Sequence, residues 1–71
     1  MPPSDDIDTF IDSAMVLYPR ANLTAVQNFC WTAPNDPTAN RWNIGQDARL
    51  YGWNNDTVDA ITFVLRGVKK I

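Results

Sequence analysis

Apolar residues recur at intervals of three and four along most of this chain, and that period predicts helices and no confident strand. Pro19, Pro34 and Gly52 interrupt the pattern and divide it into separate helical segments. We therefore expect an all-α fold, a compact four-helix single domain over residues 1–71. The predicted helices lie at roughly 5–18, 23–32, 42–51 and 55–69, with a loop at 33–40.

Capping residues and inward faces follow from the same pattern. Ser4 can cap the first helix, Asn22 the second, and either Asn54 or Asn55 the last, while Gly52 is placed to close the third in the left-handed conformation. The predicted inward residues are Ile7, Phe10, Ile11, Ala14, Met15 and Tyr18; Leu23, Val26, Phe29 and Cys30; Ile44, Ala48 and Tyr51; and Val58, Ala60, Ile61, Phe63, Val64, Leu65 and Val68.

The residue types that the chain lacks restrict its chemistry. It contains no histidine and no glutamate, and Cys30 is its only cysteine. Histidine-dependent triads and histidine–glutamate zinc sites are therefore excluded, and the isolated glycines form no phosphate loop. Capping and a solvated face explain the aspartates near the N-terminus, and Cys30 is expected to be a buried, inert thiol. We expect no enzyme, no catalytic residue, no metal and no cofactor.

Charge and hydropathy limit the partners and the location. The net charge of −2 gives no strong field toward nucleic acid, and no apolar run is long enough to span a membrane. The first residues lack the pattern of a signal peptide, which favours a cytoplasmic protein and leaves a mature secreted form open. In the secreted case, the sequons that begin at Asn22 and Asn55 could carry glycans, although both asparagines also suit helix caps.

The stretch from Ala48 to Ile61 resembles a helix-turn-helix. A small residue at Ala48, glycine at Gly52 and apolar anchors at Val58 and Ile61 have the spacing of that family, from which Asp47 departs. The last two helices should thus form an αα-hairpin. DNA binding is the alternative function, although Asp56 and Asp59 on the would-be reading face would repel phosphates. The candidate DNA-contacting residues are Asn54, Asn55, Arg49, Arg66, Lys69 and Lys70.

The C-terminal sequence DARLYGWNNDTVDAITFVLRGVKKI is similar to the C-terminal helical segment of the thermolysin-like metallopeptidases. The matching residues are Ala48, Leu50, Tyr51, Gly52, Val58, Ala60, Gly67 and Val68. The resemblance implies a helical supporting subdomain, or a detached relative of one, whose last two helices pack as a close hairpin. It carries over no catalytic or metal role, because the zinc motif of that family requires histidine and glutamate.

The function that we favour from the sequence is protein–protein interaction by a small acidic helical module, as a regulator, inhibitor, adaptor or subunit. Aromatic anchors carry much of the binding energy at such surfaces. Trp31, Trp42 and Trp53 lie near predicted helix ends, where packing is often incomplete, and they are the candidate partner-binding residues. A homo-oligomer is also possible.

Overall fold

The computed structural model describes residues 4–32 and 41–68, with side chains at positions 6–32 and 43–68. It contains four helices, α1 Ser4–Leu17, α2 Leu23–Thr32, α3 Arg41–Tyr51 and α4 Asn55–Gly67. No strand occurs in the described ranges. The all-α, four-helix prediction is confirmed, and α4 ends two residues earlier than expected, with Val68 as its C-cap. The predicted loop at 33–40 and the predicted capping by the Ser4 side chain lie outside what the structure describes.

Three of the helices pack on one another and the fourth is attached to them. α1, α2 and α4 make mutual contacts, whereas α3 packs chiefly on α4, as expected for an αα-hairpin. The one fully buried side chain that α3 contributes, among those described, is Ile44. The buried core consists of Ile7, Ile11, Ala14, Ala21, Val26, Cys30, Ile44, Ala60, Ile61, Val64 and Leu65.

Most of the predicted inward faces are buried or half-buried, and two assignments are wrong. Leu23, the first residue of α2, is 44% exposed, and Tyr51, the last residue of α3, is 65% exposed. Both stand at helix ends, where the helical period continues but the neighbouring helix no longer covers the side chain. In contrast, Thr57 is fully buried although its side chain is polar.

The turn between α3 and α4 forms as its sequence predicts. Gly52 has a φ of 71°, and the backbone N–H of Trp53 donates to the carbonyl of Ala48 at 3.0 Å. This is the bonding of a Schellman motif, which places glycine in the left-handed conformation after the last helical residues. Asn54 is the N-cap of α4, because its side chain accepts a 2.8 Å hydrogen bond from the backbone N–H of Thr57.

Polar groups at this end of the molecule form a hydrogen-bond network between two turns. The Thr57 hydroxyl donates to Asn54 Oδ1 at 2.7 Å and accepts from the backbone N–H of Asn22 at 2.8 Å. Asn54 Nδ2 donates to the carbonyl oxygen of Arg20 at 2.9 Å. We call these contacts the turn-linking network, since they join the α1–α2 turn to the start of α4. The network satisfies the buried hydroxyl of Thr57.

Asn22 and Cys30 have the roles that their positions indicate. Asn22 Oδ1 accepts from the backbone N–H of Ala25 at 3.2 Å and so caps α2. Cys30 is fully buried, and desolvation raises the pKa of its thiol to about 12. A thiol in such surroundings forms little thiolate near neutrality, as expected for an inert core cysteine.

Candidate partner-binding groove

A groove of about 600 Å³ lies between α2 and α3 and continues to the turn that follows α3. We call it the α2–α3 groove. Its volume is within the range of about 300–1,000 Å³ that ligand clefts commonly have. The lining residues of greatest chemical interest are three aromatics, Phe29, Tyr51 and Trp53, and the polar residues Asn28, Thr32 and Asp47.

The three aromatic side chains form one contact cluster. The rings of Tyr51 and Trp53 are stacked, with centroids 5.6 Å apart and an interplanar angle of 29°. Phe29 meets Trp53 edge to face, at a centroid distance of 5.7 Å and an angle of 86°. Phe29 and Trp53 are half-buried and packed against the core, so the exposed ring of Tyr51 rests on a fixed support. A supported and accessible aromatic surface is typical of a binding anchor.

Asp47 places a carboxylate on the same groove. It lies four residues before Tyr51 in α3, so that helical geometry sets both side chains on one face. No hydrogen bond or ion pair joins Asp47 to another residue of the described ranges. It stands within the helix and caps neither end. Its charge is therefore not paired with any of the described residues.

Of the predicted partner-binding tryptophans, the structure places one in this groove. Trp53 lines it, in the turn after α3. Trp31 lies in the last turn of α2 and is 45% exposed, and its indole N–H donates to Asp8 Oδ1 at 2.8 Å. It does not line the α2–α3 groove, and the Trp42 side chain lies outside the described part of the chain.

Phe29, Tyr51 and Asp47 were not predicted as site residues. The sequence assigned both aromatics to the core, and only the tertiary arrangement shows that they flank an opening. Asp47 did carry a signal, since it is charged where the helix-turn-helix pattern prefers an apolar or small residue. The position that departs from the helix-turn-helix pattern is thus one that lines the groove.

The candidate DNA-contacting residues have mixed surroundings. Both ends of the Asn54 amide are engaged, its oxygen by Thr57 and its nitrogen by the carbonyl of Arg20. Contact with a base edge would require Asn54 to give up these bonds. Asn54, Asn55, Arg49 and Arg66 are all exposed, and Lys69 and Lys70 lie outside the described residues. The geometry thus adds nothing in favour of DNA reading to the sequence pattern.

A second groove, of about 470 Å³, runs between α1 and α4. Asp59 and Arg66 both line it, so its charges are of opposite sign. The ring of Phe10 occupies the place where a Cβ on Gly67 would stand, which explains why glycine suits the end of α4. Phe10 also meets Phe63 edge to face at 6.3 Å. These contacts belong to the packing of α1 on α4.

Two further classes of site find no support in the described residues. No group of three or more histidine, cysteine or acidic side chains comes together there in a way that could hold a metal ion. None of the helices is long and apolar enough, over its described length, to cross a membrane.

The chain matches no protein-family model, no curated protein and no solved structure. What can be stated of its class is that it is a small four-helix all-α domain in which α3 pairs with α4. That pairing is required by the resemblance to the thermolysin-like metallopeptidases, which stays a prediction from the sequence.

Proposed function

We propose that this chain is a non-catalytic interaction module that binds an exposed segment of a protein partner in the α2–α3 groove. The observation that carries the proposal is the supported aromatic cluster, in which Tyr51 is 65% exposed while stacked on Trp53. Holding a large aromatic ring in water is unfavourable, and covering it supplies much of the energy of association.

The polar lining favours a peptide over a purely apolar ligand. Asn28 and Thr32 lie four residues apart on α2 and line one wall, and Asp47 lines the other. Side-chain amides and hydroxyls can hydrogen-bond the backbone of an extended segment, while the aromatic rings take up its side chains. The absence of histidine and glutamate from the sequence supports a role without catalysis.

Selection from a random peptide library against the immobilised chain tests this proposal. Synthetic peptides from the enriched clones should bind in solution, and Tyr51→Ala should weaken their binding by about thirtyfold, since aromatic anchors at the centre of an interface are worth about 2 kcal/mol or more. Leu50→Ala is the matched control, because Leu50 is 73% exposed on the same helix turn and does not line the groove.

The proposal fails if no peptide is enriched, or if enriched peptides bind the Tyr51→Ala and wild-type chains equally. Circular dichroism of both variants would establish that each keeps its helices. Neither substitution removes a buried side chain, so both variants should fold.

A further inference from the structure

We infer that the partner segment presents an arginine side chain to the α2–α3 groove, where its guanidinium lies against the Tyr51–Trp53 rings and pairs with Asp47. This inference rests on the proposed function and adds the chemistry of the occupant.

The aromatic surface of the groove favours a cationic guest. A cation positioned over the face of tryptophan or tyrosine is attracted by the quadrupole of the ring. Tyr51 and Trp53 are nearly parallel, with an interplanar angle of 29°, and the exposure of Tyr51 leaves ring surface open to a guest. Phe29 packs on Trp53 in a T-shaped arrangement and helps to hold the indole in place.

The charge of the groove also favours a cationic guest. Among the described residues that line the groove, Asp47 is the only charged one, and no lysine or arginine of that set neutralises it. An apolar guest would cover this carboxylate and leave it without a partner, at a desolvation cost. A cationic guest would pair with it, and the net charge of −2 for the whole chain has the sign that attracts one.

Arginine fits this combination better than lysine does. Its guanidinium is planar and weakly hydrated, so that it can stack on a ring and offer a fork of N–H donors to a carboxylate at once. The ammonium of lysine is compact and strongly hydrated, and loses more on leaving water. The neutral oxygens of Asn28 and Thr32 on the opposite wall are further acceptors for the donors that remain.

The test uses fluorescein-labelled heptapeptide pools in which the central residue is fixed and the other positions are mixed. Four pools carry arginine, lysine, the neutral isostere citrulline, or leucine at the centre. Binding to the full chain is followed by fluorescence polarisation at low salt. We expect the arginine pool to bind about tenfold more tightly than the citrulline pool, and more tightly than the lysine pool.

Asp47→Asn should lower the affinity for the arginine pool by up to about fivefold and leave that for the citrulline pool unchanged. Asp12→Asn is its matched control, since it removes the same charge from an exposed position on α1 outside the groove. Added salt should reduce the difference in affinity between the arginine and citrulline pools for the wild-type chain. It should change this difference little for the Asp47→Asn variant.

The alternative results have distinct meanings. Equal binding of the arginine and citrulline pools, with sensitivity to Tyr51→Ala, would overturn the arginine inference and leave the proposed function standing. A preference for the leucine pool would likewise overturn the arginine inference and keep the proposed function, and it would indicate an apolar guest. If no pool binds, the result would count against both the arginine inference and the proposed function. Self-association that Asp47→Asn abolishes, seen by sedimentation, would replace the partner protein with a second copy of the chain.

Discussion

The backbone N–H of Asn22 donates a 2.8 Å hydrogen bond to the hydroxyl of Thr57, which lies 35 residues further along the chain. The Thr57 hydroxyl donates a hydrogen bond to Asn54 Oδ1, and Asn54 Nδ2 donates one to the carbonyl oxygen of Arg20 in the α1–α2 turn. One buried hydroxyl thus forms hydrogen bonds with the cap residues of two helices, Asn22 of α2 and Asn54 of α4. The turn-linking network fixes where α4 begins relative to the end of α1.

Replacing Thr57 by valine should destabilise the fold by about 1–3 kcal/mol, because a shape-matched apolar side chain leaves the N–H of Asn22 without its acceptor. Urea unfolding followed by circular dichroism measures the change. Thr62→Val is the control on the same helix, since that hydroxyl only donates back to the carbonyl of Val58. It should cost about 0.5 kcal/mol or less. Equal losses for both variants would contradict the importance given to the network.

Asn54→Ala should cost about 1–2 kcal/mol through loss of the N-cap of α4. Asn55→Ala, at the exposed next position, should change the free energy of unfolding much less. Asn54→Asp separates the two roles of the amide, because the carboxylate can still cap the helix but has no N–H to offer the carbonyl of Arg20. An intermediate loss is expected. Full wild-type stability of Asn54→Asp would show that the bond to Arg20 contributes nothing.

Alanine at two glycines should have effects of opposite sign. Gly52→Ala forces a Cβ into the left-handed conformation at φ 71° and should cost about 1–2 kcal/mol. Gly45→Ala lies within α3, where an added Cβ meets nothing within 4 Å, and should stabilise by about 0.5–1 kcal/mol. Thermal unfolding should separate the two variants clearly, at about 4–8 °C per kcal/mol for a domain of this size. A gain at Gly52 would contradict the assigned turn.

The Cys30 thiol should react slowly in the folded protein. Burial raises its pKa from 9.0 to about 12, so at pH 8 an aromatic disulfide reagent should modify it far more slowly than in urea-unfolded protein. Rapid modification without denaturant would contradict this burial.

The raised pKa of the Cys30 thiol makes the stability of the fold depend on pH. The unfolded chain releases the thiol proton near pH 9.0 while the folded chain retains it to about pH 12, so the contribution of Cys30 is complete below 9.0 and is lost between these values. Comparison with Cys30→Ala isolates the cysteine: the stability difference between the two proteins should shrink as the pH rises through this window.

The helices were predictable because their limits are local. Pro19 ends the first helical pattern, Asn22 and Asn54 begin the next and the last, and Gly52 closes the third; each acts through its own backbone or the N–H groups of the following turn. Such signals do not depend on the rest of the fold. The helix limits in the structure accordingly agree closely with those read from the sequence.

The groove was not predictable in the same way. Tyr51 and Ile44 share the period that marks an inward face, yet Ile44 is fully buried and Tyr51 is exposed. The period shows which side of a helix faces the core and does not show how far along that helix the neighbour reaches. The burial of the polar Thr57 was not predicted from the sequence, because it depends on the contact with Asn22, which lies 35 residues earlier in the chain.

The attachment of α3 bears on how the molecule opens. Because α3 packs chiefly on α4 while the other helices pack mutually, amide hydrogen exchange in α3 should proceed through a partial opening at lower free energy than exchange in α1, α2 or α4. A guest that touches both walls of the α2–α3 groove binds only the closed form. Occupancy would therefore protect the amides of α3 first, so that ligand binding and the docking of one helix become a single equilibrium.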